Sequence, residues 1–160
     1  MPAGGTTAGN LVTGRRRTIP IPLPLAVWER DGLAAALAKA GLPADDIQAP
    51  GPLFWRFESD DVPVGFGGLE IFKDHALLRS VVTLPPVRNR GIGKAIVASL
   101  ETEASIRGCG AIWLVTEKAA DFFAGLGYRA CERSEAPKAV REAVPFAYPA
   151  AAAAMMKRLV

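Results

Sequence analysis

The chain of 160 residues has few of the side chains on which disulfide and metal chemistry depend. It contains two cysteines and one histidine. Cys109 and Cys131 show neither a CxxC pair nor a ligand-like spacing, so the sequence predicts no disulfide scaffold and no metal site. Each cysteine is expected to be a small buried apolar residue. His75 lies at a predicted hairpin, where we expect a turn residue rather than a catalytic one.

Long apolar runs are also absent. No stretch before residue 18 has the length of a signal-peptide core, and no segment resembles a transmembrane span. These absences predict a cytoplasmic protein without a membrane partner. The net charge of +3 is too small to predict a nucleic-acid partner. Residues 1–17 are expected to form a disordered leader, and residues 18–160 a single domain.

The chain does contain a regular succession of short apolar segments, bounded by glycine, proline and charged residues. In chain order they predict an extended segment at 18–24, a helix at 25–39, strands at 53–57, 64–72 and 76–84, a helix ending near 107, a strand at 111–115, a helix at 118–126, a strand at 128–132, a helix at 136–143 and a strand at 152–159. Short polar turns make the first three strands an antiparallel meander. The strand at 111–115 is apolar throughout, which is typical of a central parallel strand reached through a helix.

The most informative stretch follows the strand at 76–84 and reads Arg88-Asn89-Arg90-Gly91-Ile92-Gly93. A helix N-terminus offers unpaired N–H groups and a positive dipole to a phosphate, and glycines let the backbone come close to it. A dinucleotide fingerprint needs glycine where Ile96 stands, and a P-loop needs glycine where Arg88 stands. An ordinary strand-to-helix turn is the alternative reading.

The spacing Arg-x-x-Gly-x-Gly resembles the pyrophosphate loop of the GNAT superfamily of N-acetyltransferases, which bind acetyl-coenzyme A. Residues 120–128 resemble a second signature of that family, in the right order along the chain. The resemblance covers residue 18 to the C-terminus. It implies an α/β fold with a central mixed sheet of six to seven strands flanked by helices. It also implies a splay between the strands at 76–84 and 111–116.

Three shorter segments resemble the arsenic-resistance N-acetyltransferases in particular. These are residues 77–80, residues 121–123 and the pattern Phe146-x-Tyr148-Pro149. That subfamily is similar to enzymes that acetylate the amino group of arsinothricin and phosphinothricin. Many relatives carry cysteine where this chain has Tyr148, so the substrate end is expected to differ.

The resemblance assigns candidate residues to the cofactor. The expected contacts to acetyl-coenzyme A are Val81, Val82, Thr83, Arg88, Asn89, Arg90, Gly91, Ile92, Gly93 and Lys94. For the chemistry, the Val82 N–H is the candidate oxyanion donor. Glu70 is the candidate base, with Glu117 as the other plausible carboxylate. Thr116 and Ser80 are candidates for orienting a water.

Substrate binding is expected from Arg79, Ser80, Glu70 and Tyr148. Arg79 interrupts an apolar strand, and a buried arginine needs a partner. Either it forms a structural ion pair with Glu70, or it clamps an anionic group of the substrate; we favour the clamp. Many relatives use a tyrosine to protonate the leaving thiolate, and the matching residue here is Phe123. Thr116 stands where many relatives have asparagine.

These residues predict an acetyl-CoA-dependent N-acetyltransferase for a small amino acid-like amine. A peptide or protein amine is the second choice of acceptor. Because the tyrosine is missing, a second function is also considered: a regulatory module that binds acyl-CoA without catalysis. The expected state is a monomer or homodimer.

Overall fold

The computed structural model of the chain describes residues 19–85, 91–147 and 151–159. Within these ranges one mixed sheet holds seven strands: β1 (Ile21–Pro24), β2 (Leu53–Ser59), β3 (Val62–Phe72), β4 (His75–Thr83), β5 (Ala111–Thr116), β6 (Arg129–Cys131) and β7 (Ala153–Arg158). The helices are α1 (Arg30–Lys39), α2 (Ile92–Ile106), α3 (Ala120–Gly125), α4 (Lys138–Glu142) and α5 (Val144–Ala147). The spatial order of the strands is β1-β2-β3-β4-β5-β7-β6. The leader predicted at 1–17 lies outside the described residues.

The first four strands form an antiparallel sheet, which confirms the predicted meander. β1 is the edge strand, with Pro22 paired to Phe57 and Pro24 to Trp55. An edge position suits proline because its missing N–H leaves no gap in an inner ladder. Two-residue turns at 60–61 and 73–74 join the remaining strands, so sequence neighbours become sheet neighbours.

The second half of the sheet is entered by a crossover. β4 and β5 are parallel, and α2 connects them across one face. Ile96, Leu100 and Ala104 of α2 are fully buried, as their spacing predicts. Ile112 and Leu114 of β5 pack on that side, while Ala111 and Trp113 pack on the other. The predicted mixed α/β fold with flanking helices is confirmed.

Several element boundaries differ from the predicted ones. The helix expected at 25–39 opens with a 3-10 turn, Val27–Glu29. The helix expected from 118 begins at Ala120, because the Thr116 hydroxyl accepts the Ala119 N–H at 2.9 Å and holds a turn there. The helix expected at 136–143 is shorter, Lys138–Glu142, and a separate helix, α5, follows it.

Two smaller expectations also change. His75 is the first residue of β4 rather than a turn residue, and its Nδ1 accepts the Trp113 Nε1–H at 3.0 Å. Both cysteines are free thiols; Cys109 is buried as predicted, whereas Cys131 is only half-buried. Burial raises the pKa of both thiols, so neither is an activated nucleophile.

Candidate functional site

The sheet is split between β4 and β5. The two strands pair only where His75, Ala76 and Leu77 face Ala111, Ile112 and Trp113. Beyond these three pairs they separate, which confirms the predicted splay. The gap is a cleft of about 900 Å³ bordered by both strands, the loop after α1 and Phe123. A smaller recess of about 240 Å³ is lined by Ala40, Leu42 and the end of β4.

An irregularity in β4 lies beside this split. Arg79 pairs with Gly68 and Val82 with Phe66, so two residues of β4 oppose one residue of β3. Ser80 has a φ of +59°, a left-handed conformation that is uncommon outside glycine. This is a β-bulge, which bends and twists a strand. The last residue of β4 that pairs with β5 is Leu77, so the bulge lies within the separated part of β4.

The pairing with β3 indicates which peptide groups of β4 face the cleft. The Leu84 N–H donates to the Val64 carbonyl at 2.9 Å, so Leu84 faces β3. Antiparallel ladders alternate, and Val82, paired with Phe66, therefore faces β3 as well. This pairing directs the Val82 N–H to β3, while Val82 also borders the smaller recess; its role as oxyanion donor stays a prediction. By the same alternation the backbone of Val81 is directed away from β3, and Val81 borders the cleft.

Arg79 is the most connected side chain of the cleft wall. Its Nη1 and Nη2 donate to the two carboxylate oxygens of Asp46 at 2.9 and 2.6 Å. Nη1 also lies 3.5 Å from Glu70 Oε1, and Nε donates to Ser80 Oγ at 3.3 Å. The guanidinium lies over the Phe54 ring at 5.3 Å. Its side chain is 4% exposed, so the buried cation is balanced within the protein.

This geometry favours the structural alternative for Arg79 over the substrate clamp. Both terminal nitrogens are already engaged by a carboxylate in bidentate geometry. The expected partner, Glu70, makes only the longer contact, and the main partner, Asp46, was missed. The signal in the sequence was the acidic pair Asp45–Asp46 in a predicted turn.

The predicted base Glu70 contacts Arg79 and is not among the residues that border the cleft. Burial raises the pKa of the Glu70 carboxyl above its ordinary value, although the Arg79 charge opposes the rise. Among the described residues, the carboxylates that border the cleft are Asp45, Asp46 and Glu117. Glu117 is exposed and directly follows β5. It is therefore the better placed candidate for a base.

Two further residues considered in the sequence analysis, Thr116 and Phe123, border the cleft. Thr116 borders the cleft, but its hydroxyl oxygen already accepts the Ala119 N–H. Phe123 occupies the wall where many relatives have tyrosine, with its ring edge-to-face on Tyr128 at 5.4 Å. Tyr128 does not replace it, because its O–H donates to Glu101 at 2.8 Å. Burial and the Glu101 charge raise the pKa of Tyr128 further.

The predicted phosphate turn is described only in its second half. Gly91 has a φ of +75°, and α2 begins at Ile92, so the N–H groups of Ile92, Gly93 and Lys94 form the first turn. A Cβ on Gly93 would come within 3.3 Å of Phe122 Cζ and 3.8 Å of Thr83 Cγ2. Gly93 thus keeps open the space between α2, α3 and the end of β4. Arg88, Asn89, Arg90 and Tyr148 lie outside the described residues.

A sequence model of the acetyltransferase (GNAT) family matches residues 22–128. The matched range contains β2 to β4, the split and α2. The chain belongs to the acetyltransferase (GNAT) family. No curated protein matches the chain in sequence.

Solved structures share the GNAT fold with this chain. N-acetylglutamate synthase from Neisseria gonorrhoeae, solved with coenzyme A and L-arginine, is 16% identical with a TM-score of 0.73. The likeness covers 96% of this chain but 35% of that one, so the chain spans about a third of that protein. A GNAT-family acetyltransferase from Staphylococcus aureus Mu50 is 17% identical, with a TM-score of 0.68. The likeness covers 88% of this chain and 99% of that one. The ribosomal-protein-S18-alanine N-acetyltransferase from Escherichia coli is 15% identical, with a TM-score of 0.67. The likeness covers 88% of this chain and 94% of that one.

Two further properties concern only the described parts of this GNAT chain. Within 19–85, 91–147 and 151–159, no helix has both the length and the apolarity that crossing a membrane requires. In the same ranges, no three His, Cys, Asp or Glu side chains are grouped in a way that could hold a metal ion.

Proposed function

We propose that the chain transfers the acetyl group of acetyl-coenzyme A to the amine of a small amino acid-like substrate. The observation that carries this proposal is the split between β4 and β5, a cleft of about 900 Å³ near the start of α2. A thioester arm in the split would pair with the cleft-facing backbone of Val81, in the manner of an added strand. The N–H groups at the start of α2 would receive the pyrophosphate.

The transfer itself needs a neutral amine held in line with the thioester carbonyl. Glu117, directly or through a water, takes the proton that the ammonium form must lose. The amine nitrogen then attacks the carbonyl carbon, and the negative charge on the oxygen is stabilised by the Val81 N–H. When the carbon–sulfur bond breaks, the sulfur leaves with the electron pair and takes up a proton as the coenzyme thiol.

The choice of acceptor rests on the narrower resemblance and on the size of the cleft. The arsenic-resistance resemblance makes arsinothricin and phosphinothricin the first acceptors to test. Because Arg79 is held by Asp46, an acceptor anion would reach it only by replacing that carboxylate. Amines of peptides are the second class, and the similarity to a ribosomal-protein acetyltransferase is the observation that favours including them.

The test is release of the coenzyme thiol from acetyl-CoA with a panel of amines. The panel contains arsinothricin, phosphinothricin, free amino acids, polyamines and peptide N-termini. We expect turnover with at least one small amino acid-like amine and slower release with peptides. Tight binding of CoA with no thiol release for any amine would contradict the proposal and favour a regulatory acyl-CoA-binding module.

A further inference from the structure

Ser80 occupies a conformation that a serine adopts at a cost. Its φ of +59° belongs to the left-handed region, which is held at an energetic penalty by residues other than glycine. At the first position of a β-bulge, glycine satisfies this geometry without strain. Glycine would adopt this backbone conformation at a lower energetic cost. We therefore look to the side chain for the role of serine at this position.

The side chain of Ser80 is placed in the cleft and is fixed by the buried cation. Ser80 is half-buried and borders the cleft, between Arg79 and Val81. Its Oγ accepts a hydrogen bond from Arg79 Nε at 3.3 Å. Arg79 is itself fixed by Asp46, so the chain of contacts from Asp46 to Ser80 leaves the hydroxyl one main orientation.

The hydrogen-bond capacity of this hydroxyl is only partly used. A serine hydroxyl has one O–H donor and two acceptor lone pairs. Arg79 takes one lone pair, which leaves a donor and an acceptor for the cleft. The other hydroxyl that borders the cleft in the described residues, that of Thr116, also accepts one hydrogen bond, but it lies on β5, whereas Ser80 is the neighbour of Val81 at the bulge. The wall residue Phe123 has no proton to give.

We infer that Ser80 is a catalytic residue that relays a proton from the attacking amine to the departing sulfur. This inference rests on the proposed acetyl transfer and adds the group that completes it. After the carbon–nitrogen bond forms, the Ser80 hydroxyl passes its proton to the sulfur as the carbon–sulfur bond breaks. The serine oxygen then takes up a proton from the nitrogen, which becomes the amide nitrogen. Ser80 ends unchanged, and the products are the amide and the free thiol.

In the same arrangement, Asp46 and Arg79 act as positioning residues. Arg79 donates to Ser80 Oγ, so the hydroxyl proton is directed away from the guanidinium. The nearby guanidinium charge also stabilises the serine oxygen after that oxygen has released its proton. Neither side chain has to touch the substrate for this effect.

The experiment compares Ser80→Gly and Ser80→Ala with the wild type. Glycine relieves the backbone strain and removes the hydroxyl, so Ser80→Gly is expected to be at least as stable as the wild type. Both variants are expected to lose about 100-fold in kcat, the usual size of a lost proton transfer, with KM for acetyl-CoA unchanged. Lys73→Gly is the matched control: Lys73 also has a left-handed φ, +58°, but lies in the exposed β3–β4 turn.

The outcomes separate this inference from the proposed function. A wild type that turns over while Ser80→Gly keeps a kcat within about twofold of it overturns the relay and leaves the acetyl transfer standing. A wild type that binds CoA and releases no thiol with any acceptor overturns the proposed function, and the relay with it. A large loss of kcat in both variants, with unchanged melting temperature and an active Lys73→Gly, supports the relay.

Discussion

At the scale of single residues, the cleft is organised by one buried cation. Arg79 is almost fully removed from solvent and is in contact with Asp46, Glu70 and the face of Phe54. A buried charge that loses its partner costs several kcal/mol, so the strand and the loop carrying Asp46 depend on each other. Arg30 supports the same loop, because its guanidinium donates to the carbonyls of Ile47, Ala49 and Pro52.

Asp46→Asn tests this dependence. The change removes the charge that faces Arg79 in bidentate geometry and leaves only the longer contact to Glu70. We expect a loss of about 2 kcal/mol in the free energy of unfolding, measured by urea denaturation. The control is Asp45→Asn, an exposed neighbour, which should change stability by less than about 0.5 kcal/mol. Equal effects of the two substitutions would show that Arg79 does not depend on Asp46.

The sequence alone pointed to Arg79 but not to its partner. A charged residue within an apolar run is visible without any structure, whereas Asp46 lies 33 residues away in a loop. Glu70 was the natural candidate because the predicted strands are neighbours. The register does place Gly68 opposite Arg79 and Glu70 opposite Leu77, which brings Glu70 only to the far side of the guanidinium.

At the scale of elements, the site depends on one bulged strand and on the start of one helix. The meander and the crossover follow from local apolar patterns and short turns, and both were predicted. The bulge was not predicted, because neither Ser80 nor Val81 is a glycine or a proline, which would indicate an irregular position in a strand. The pairing of Val82 with Phe66 directs its peptide group to β3, and the proposed oxyanion donor is therefore Val81, whereas the sequence predicted Val82.

Gly93→Ala tests the start of α2. Its methyl group would enter the space beside Phe122 and Thr83, so we expect the affinity for CoA to fall about tenfold. Stability should be equal or higher, since alanine is the better helix former. Both quantities can be read from CoA titration calorimetry and thermal unfolding.

Gly91→Ala is the matched comparison. Nothing lies within 4 Å of a Cβ at Gly91, but its φ of +75° disfavours alanine. This variant should lose about 1 kcal/mol of stability and bind CoA with nearly the wild-type affinity. The reverse pattern, with CoA binding lost in Gly91→Ala and kept in Gly93→Ala, would contradict the assigned geometry.

At the scale of the whole molecule, one sheet serves as scaffold and as site. Four antiparallel strands and the β5–β7–β6 group are joined by only three residue pairs between β4 and β5. Two buried clusters, one on each face, contain residues of both halves, so the split needs no support from pairing along its open length. The fold places the split and the bulge at one cleft, and the start of α2 lies beside the end of β4.

The most direct measurement of this central claim is amide hydrogen exchange with and without saturating CoA. The prediction is slower exchange at Val81 and at residues 92–94, where the thioester arm and the pyrophosphate would accept hydrogen bonds. The amides of β6, at the far edge of the sheet, should exchange at the same rate in both samples. CoA binding that leaves Val81 and residues 92–94 unchanged would contradict the claim that the split between β4 and β5 is the acetyl-CoA site.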